Sequence, residues 1–413
     1  MPTSMGWIKE KATHKMRFHF TEQEEAFQKE VEDFLKKELP PGWVEESLQW
    51  PGGYGSHEVD EEHWRINEQL QRKIAEKGWA SISWPKEYGG REYSPIEHAI
   101  FDERTSYYRV PPPGFGATVA GPTILLFGSE EMKQEWLPRI AKAEVEFWFA
   151  YSEPNAGSDL ASLQTQAVEK GDEFVINGQK TWGSGAHLID YAWVAVRTDP
   201  DAPRHRGISL LIVDMKTPGI AIHPLTNICG IHSFNEVFFD DVHVPKNNLI
   251  GEKNQGWYYL VAALDFERLM VGIGGFKRVF EMFLDHIKKT KRDGEALRRN
   301  YKVRHMMAEM TVQIEVAYMF YWQTAWMLSK ELIPNMEASI LKLWITELSR
   351  QFADTATQVL GPYGLLETGS KWSPLNGLVP RGYLDCVSAT IGAGTSEIQR
   401  NIIAMRGLGL PRK

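Results

Sequence analysis

Cysteine is nearly missing: the 413 residues contain two, Cys229 and Cys386. They stand far apart in the chain, with no Cys-x-x-Cys partner and no His at ligand spacing, so neither a disulfide framework nor a zinc site is indicated. No metal is expected. Long apolar runs are absent too, since none approaches the ~20 residues that a membrane-spanning helix needs. Basic excess is lacking: 46 Lys and Arg face 54 Asp and Glu, a formal charge of −8, which leaves no field to hold a phosphate backbone. Nucleic acid and membrane are therefore not expected as partners. The N-terminus carries Lys9, Lys11, Lys15 and Arg17, but it includes Glu10 and has no apolar stretch of the secretory type. Residues 1–20 read as a solvent-exposed extension, with Met16 as an alternative start. The setting that fits is reducing and cytoplasmic, with the mitochondrial matrix a weaker fit.

Nucleotide and hydrolase fingerprints fail as well. Gly272-Ile273-Gly274-Gly275 follows no strand and falls in a helical pattern, so it reads as a place where another backbone approaches closely. Asn177-Gly178-Gln179-Lys180-Thr181 lacks the Gly-Lys pair of a phosphate loop. Gly183-Ser184-Gly185 has the wrong spacing for a nucleophile elbow. A nucleotide-derived ligand needs a site built without a Rossmann unit.

What is present is a change of period along the chain. Over residues 21–145 apolar residues recur at helical spacing, as in Phe27, Val31, Phe34 and Leu35, with breaks at Pro51-Gly52-Gly53, Gly89-Gly90 and Pro111-Pro112-Pro113-Gly114. Over residues 146–252 the period becomes two and the residues β-branched and aromatic. Strands are expected at Tyr191 to Arg197, Gly207 to Asp214, Ile220 to His223 and Glu236 to Val242, and a type I′ hairpin turn at Asn177-Gly178 after Phe174-Val175-Ile176. Over residues 253–413 the helical period returns, with one stripe of Leu269, Ile273, Phe276, Phe280, Phe283 and Ile287 and another of Leu341, Trp344, Leu348 and Phe352. Helices, then strands, then helices make an α+β fold rather than a doubly wound sheet.

Tyr151-Ser152-Glu153-Pro154-Asn155-Ala156-Gly157-Ser158-Asp159 closely resembles the acyl-CoA dehydrogenase signature. In the same order as in that family come Asn177 to Trp182, then Phe238-Phe239-Asp240-Asp241-Val242-His243-Val244-Pro245, Gln358-Val359-Leu360-Gly361 and Gly394-Thr395-Ser396-Glu397-Ile398-Gln399-Arg400. The resemblance spans Phe20 to the C-terminus. It implies an N-terminal helical domain, a middle β-barrel-like domain and a C-terminal four-helix bundle, with FAD and an acyl-CoA between them. An isoalloxazine needs hydrogen-bond donors at its edge and an apolar face that keeps water away. The resemblance puts Phe149, Tyr151 and Ser152 along that ring on one segment and Trp182, Gly183 and Ser184 on another, against a plain reading of Trp182 as strand core and the serines as turn residues. Ser158 is implied near cofactor and CoA. Gln358, Gly361, Thr395 and Glu397 complete the implied cofactor set, and Gly394 joins the substrate side. Where the family has Arg-x-x-Phe-Gly, this chain reads Thr290-Lys291-Arg292-Asp293-Gly294, so Arg292 is the candidate pyrophosphate ligand, or else a solvated basic helix end. Gln358 keeps the family's contact to a neighbouring subunit's FAD, which implies a homodimer or homotetramer.

Removing an α-proton from a thioester requires a carboxylate held over Cα. In many members it immediately precedes the Gly-Thr-Ser-Glu loop, but here that residue is Ala393, in Ile391-Gly392-Ala393-Gly394. The isovaleryl-CoA and long-chain branches carry it in the segment that here reads Leu264-Asp265-Phe266-Glu267-Arg268-Leu269. Glu267 is thus the implied base, with Asp265 and Arg268 on the substrate side; by local chemistry alone Glu267 is a helix-start carboxylate and Asp265 its cap. The implied reaction is α,β-dehydrogenation to a trans-2-enoyl-CoA, with hydride passing to flavin N5 and electrons to an electron-transferring flavoprotein. A branched, cyclic or aryl-substituted acyl group is expected. Two rivals stay open: a flavin oxidase or monooxygenase of the same fold, and a non-catalytic subunit of a hetero-oligomeric dehydrogenase.

Overall fold

The computed structural model describes residues 19–52, 61–263 and 271–411. The N-terminal part is helical: α1 (Glu22–Glu38), α2 (Glu61–Glu76), α3 (Pro95–Tyr107), α4 (Gly121–Phe127) and α5 (Glu130–Ala141). Capping sets where α1 and α3 begin. Thr21 Oγ1 accepts from the Glu24 N–H at 3.3 Å and the Glu24 carboxylate accepts from the Thr21 N–H at 2.7 Å; Ser94 and Glu97 repeat this box at α3. The predicted stripe on α1 buries Phe27, Val31 and Leu35.

The strands follow as β1 (Phe147–Ala150), β2 (Gln166–Lys170), β3 (Glu173–Lys180), β4 (Tyr191–Arg197), β5 (Ile208–Asp214), β6 (Ile220–Thr226) and β7 (His232–Pro245). They form one seven-stranded sheet in which β1 and β2 both run parallel to β4 on one edge while β5 pairs antiparallel on the other. The strand predicted over Tyr191 to Arg197 is β4. Asn177-Gly178, however, is no turn. β3 runs straight through it, and the β2–β3 connection lies at Gly171-Asp172, where Gly171 has φ 60°. At Gly178 the register against β7 shifts, and Asn177 closes the irregularity with two side-chain bonds: Nδ2 donates to Asp241 Oδ1 at 3.0 Å and Oδ1 accepts from Asp241 N–H at 2.9 Å. Glycine is needed at 178 because a Cβ there would lie 2.6 Å from Thr165 Oγ1 and 2.7 Å from Thr165 Cα.

After α6 (Gly256–Ala263), the helices α7 (Ile273–Lys289), α8 (Tyr301–Leu328), α9 (Asn335–Leu360) and α10 (Leu378–Ala389) share one core, followed by the short α11 (Ser396–Ile402). The predicted stripe on α7 is buried from Ile273 to Ile287; Leu269 lies outside the described residues. Trp50 and Ala99 of the N-terminal part belong to this same core, and the Trp50 indole N–H donates to Ser349 O at 3.2 Å.

The glycines of Gly272 to Gly275 do what the sequence suggested. A Cβ at Gly274 would stand 2.0 Å from the Glu103 carbonyl oxygen and 2.6 Å from Tyr107 N, where α3 crosses α7, and the Gly274 N–H donates to Ser106 Oγ at 3.0 Å. At Gly275 the nearest atom would be 3.6 Å away. Gly274→Ala should therefore cost at least ~1–3 kcal/mol by overpacking, whereas Gly275→Ala should be neutral or stabilising by up to ~1 kcal/mol, as for a helix-interior glycine. Denaturant midpoints of the two variants check this; equal destabilisation by both would refute the close-approach argument.

Candidate functional site

The two segments read from the sequence as one site are joined in the structure. β1 delivers Phe149, then Tyr151 and Ser152; β3 ends at Lys180 and delivers Thr181 to Ser184. The Thr181 N–H donates to Ser152 O at 2.9 Å, so the segments lie side by side. Phe149 and Tyr151 present parallel rings 5.1 Å apart at an interplanar angle of 1°, and Phe115 packs on Phe149 with centroids 4.6 Å apart. Phe115 opens into a π-helical turn, Gly116–Ala120, whose first N–H donates to Glu146 Oε1 at 2.7 Å. Burial pushes the Glu146 carboxyl up to about 7.

A buried ion pair holds this arrangement, and the sequence reading did not find it. Lys180 is fully buried and its ammonium donates to Glu153 Oε1 at 2.8 Å and to Tyr151 O at 3.1 Å. Glu153 also accepts from the N–H groups of Gln164 (2.7 Å) and Thr165 (2.9 Å). Burial raises the Glu153 carboxyl, but Lys180 and the two N–H bonds outweigh it and hold it below the usual carboxylate range.

Trp182 has a left-handed backbone (φ 60°) and an exposed ring, edge-on to Phe234. It is not strand core. Gly183 is gripped from both sides by Asn235: its N–H donates to Asn235 O and its carbonyl accepts from Asn235 Nδ2, both at 2.9 Å.

On the signature loop Ser158 is exposed, and neighbouring Asp159 pairs with Arg204 at 3.2 Å. Arg204 belongs to the loop before β5, where Pro203, His205 and Arg206 line an open cleft with Trp257 and Tyr258 of α6. The His205 and Trp257 rings meet edge to face, centroids 4.5 Å apart.

Arg292, Gln358 and Gly361 also come together. Arg292 sits on a small hairpin turned by Asp293 (φ 52°) and Gly294 (φ 84°), and its Nη2 donates to the carbonyls of Val359 (2.7 Å) and Leu360 (2.8 Å) at the C-terminal end of α9. Arg292 is exposed and lies beyond the end of α7, and its guanidinium caps the C-terminal end of α9. Gln358 Nε2 donates to Asp354 Oδ2 at 2.7 Å.

The loop before α11 is held from outside. Lys342 donates to Ala389 O (3.1 Å) and Gly394 O (2.8 Å), and burial pushes its ammonium down to about 8. Gln399 Nε2 donates to Ala393 O at 3.2 Å. Ala393 (φ 51°) and Gly394 (φ 84°) are both left-handed, and Thr395 Oγ1 caps α11 by accepting from Ile398 N–H at 3.2 Å. Glu397 is exposed on the first turn. Glu267, Asp265 and Arg268 lie outside the described residues.

Models of the acyl-CoA dehydrogenase N-terminal, middle and C-terminal domains match residues 21–144, 148–242 and 254–408. The chain belongs to the acyl-CoA dehydrogenase family. It is thus an FAD-dependent oxidoreductase. The acyl-CoA dehydrogenase FadE26 of Mycobacterium tuberculosis is 34% identical over 407 residues, 96% of this chain and 99% of the relative. Among solved structures, the ChsE4-ChsE5 complex from Mycobacterium tuberculosis superposes with a TM-score of 0.85 at 33% identity, covering 96% of this chain and all of that one (100%). A steroid ACAD, Tcur3481-Tcur3483, gives 0.86 at 29% identity, again covering 96% and 100%. Among the described residues of this dehydrogenase no helix is long and apolar enough to cross a membrane, and no group of His, Cys, Asp and Glu could hold a metal ion. The residues present suit a flavin: parallel aromatic rings, two hydroxyl-bearing segments bonded edge to edge, and a left-handed Trp182 whose ring is not consumed by the core.

Proposed function

We propose that this dehydrogenase oxidises the α,β bond of a bulky acyl-CoA, with Glu267 as the base that takes the α-proton. The observation that carries the reading is the pair of residues at 393 and 267: Ala393 cannot accept a proton, and Glu267 stands where the resemblance implies the alternative base. FAD, when bound, supplies the two-electron acceptor for the β-hydrogen. Phe149, Tyr151 and Ser152 and the segment Trp182 to Ser184 orient it and exclude water. Thr395, Glu397 and Gly394 border it from the C-terminal loop that Lys342 steadies. Ser158 and the cleft of His205, Arg206 and Trp257 suit an anionic purine end, as CoA has, since a cationic rim and an indole face are both present. Electrons then pass to an electron-transferring flavoprotein.

A branched, cyclic or aryl acyl group is supported by the similarity to a steroid ACAD. In a dye-linked assay over a panel of acyl-CoAs, cyclic or branched thioesters should exceed straight-chain ones at least ~10-fold in kcat/KM, a pocket-fit difference of ~1–3 kcal/mol. Equal rates on straight chains would sink the substrate assignment.

Arg292, Gln358 and Gly361 form the face offered to the FAD of a second subunit. Arg292→Ala should weaken FAD retention more than it slows flavin reduction, because charge-assisted bonds worth about 1.5–3 kcal/mol would be lost from the cofactor and from the end of α9. Unchanged FAD affinity would restrict Arg292 to capping α9. A second reading, a hetero-oligomer, is favoured by the Asp293-Gly294 turn in place of the family's Phe-Gly and by the similarity to the ChsE4-ChsE5 complex. Stable FAD on the chain expressed alone would speak against it.

A further inference from the structure

Behind Gly183 stand three side chains that the reaction does not use. His187 and His232 stack with ring centroids 4.1 Å apart and an interplanar angle of 18°. Buried Asn235 reaches both: its Nδ2 lies 3.1 Å from His187 Nδ1 and its Oδ1 lies 2.8 Å from His232 Nε2. The same Nδ2 donates to the Gly183 carbonyl at 2.9 Å.

The backbone determines the protons in this cluster. A carbonyl oxygen can only accept, so the Asn235 nitrogen must face Gly183, and its second hydrogen points to His187 Nδ1. His187 Nδ1 must then be an unprotonated acceptor, and His232 must carry its proton on Nε2 to donate to Asn235 Oδ1. A proton arriving at His187 Nδ1 meets the Asn235 N–H head on. Turning the amide over would relieve that clash, but it would set Asn235 Oδ1 against the Gly183 carbonyl oxygen. Neither orientation satisfies a charged His187 and Gly183 together.

We propose that Asn235 is the positioning residue for the Trp182-Gly183-Ser184 segment, and that proton uptake by His187 loosens that segment and so couples the flavin face to pH. The inference rests on the proposed placement of this segment beside the flavin. His187 is exposed, so protons reach it freely. Burial of its inner edge and the neighbouring His232 hold the imidazole below its ordinary range, which keeps the segment gripped at neutral pH and releases it in acid. His232 of β7 is the titratable group that acts on it. The other carboxylates nearby are turned elsewhere: Glu236 of β7 accepts from Gln179 at 3.3 Å, and Asp190 accepts from the Glu146 N–H at 3.3 Å.

The test is amide hydrogen exchange over residues 181–190 in the protein as purified, at about pH 5 and about pH 7.5, corrected for intrinsic rates, alongside the visible flavin spectrum. The wild type should exchange faster in acid by at least about threefold. His187→Gln keeps an acceptor but cannot take a charge, and it sits on the surface, so it should fold and lose the acid effect. Asn235→Asp, which has no N–H for Gly183, should exchange fast at both pH values. Acid loosening that persists in His187→Gln, or normal exchange in Asn235→Asp, would overturn the linkage. A flavin band that shifts with the same midpoint supports the whole proposal. Exchange that responds while the band does not would overturn the flavin placement and leave the proton linkage standing.

Discussion

Replacing Glu267 by Gln should leave the fold, the FAD and acyl-CoA binding in place while flavin reduction falls by at least ~10², the low end of what a positioned general base contributes. Gln is nearly isosteric with Glu but cannot take the α-proton, so binding and chemistry separate. Anaerobic stopped-flow bleaching of the flavin measures the chemical step, and ligand-induced spectral change measures binding. Near-normal reduction would remove Glu267 from the mechanism, and with it the isovaleryl-like placement of the base. Adding Ala393→Glu to Glu267→Gln tests the exchange of positions and should restore part of the rate. Full recovery is not expected. Ala393 already holds the left-handed backbone (φ 51°) and its carbonyl is tied to Gln399, so glutamate adds no new backbone cost, but the surroundings are packed around a methyl group rather than a longer carboxylate side chain.

Lys180→Met should be the most destabilising of the single changes, by ~3–5 kcal/mol, because it leaves a buried carboxylate and the Tyr151 carbonyl without their cation. The methionine fills the volume, so the loss reports the charge rather than a cavity. Glu153→Gln added to Lys180→Met should regain part of it, since a neutral amide still accepts from Gln164 and Thr165 and no unpaired charge remains buried. Urea midpoints of the wild type, the single and the double variant decide; a Lys180→Met cost under ~1 kcal/mol would show the pair to be solvated in solution. Acid acts on the same pair. With the Glu153 carboxyl depressed in the folded state, its contribution is complete above the ordinary Glu range and is lost as pH falls through the lower folded value. FAD retention should fall with Lys180→Met, since Lys180 holds both the signature loop, through Glu153 and Tyr151, and the end of β3.

The mistaken turn at Asn177-Gly178 shows how one local reading hides a long-range one. Read as a hairpin, it ends the strand and puts Lys180 in a different element. Read as it folds, β3 continues, and its period of two places Lys180 on the face of Phe174 and Ile176, both buried. A lysine on a core face demands a carboxylate, and Glu153 would have followed.

The sequence by itself determined the order of helices, strands and helices, the limits of β4, a close backbone approach within Gly272 to Gly275 and the family, because each rests on periodicity, residue size or an ordered string of local motifs. Tertiary structure alone decided which distant groups meet: Lys180 with Glu153 across 27 residues, Arg292 with Val359 across 67, and Gly183, His187 and His232 around Asn235. Such partners are chosen by strand register and helix crossing. These depend on the packing of the whole core, and a buried donor or charge takes whichever acceptor that packing brings within 3 Å or so.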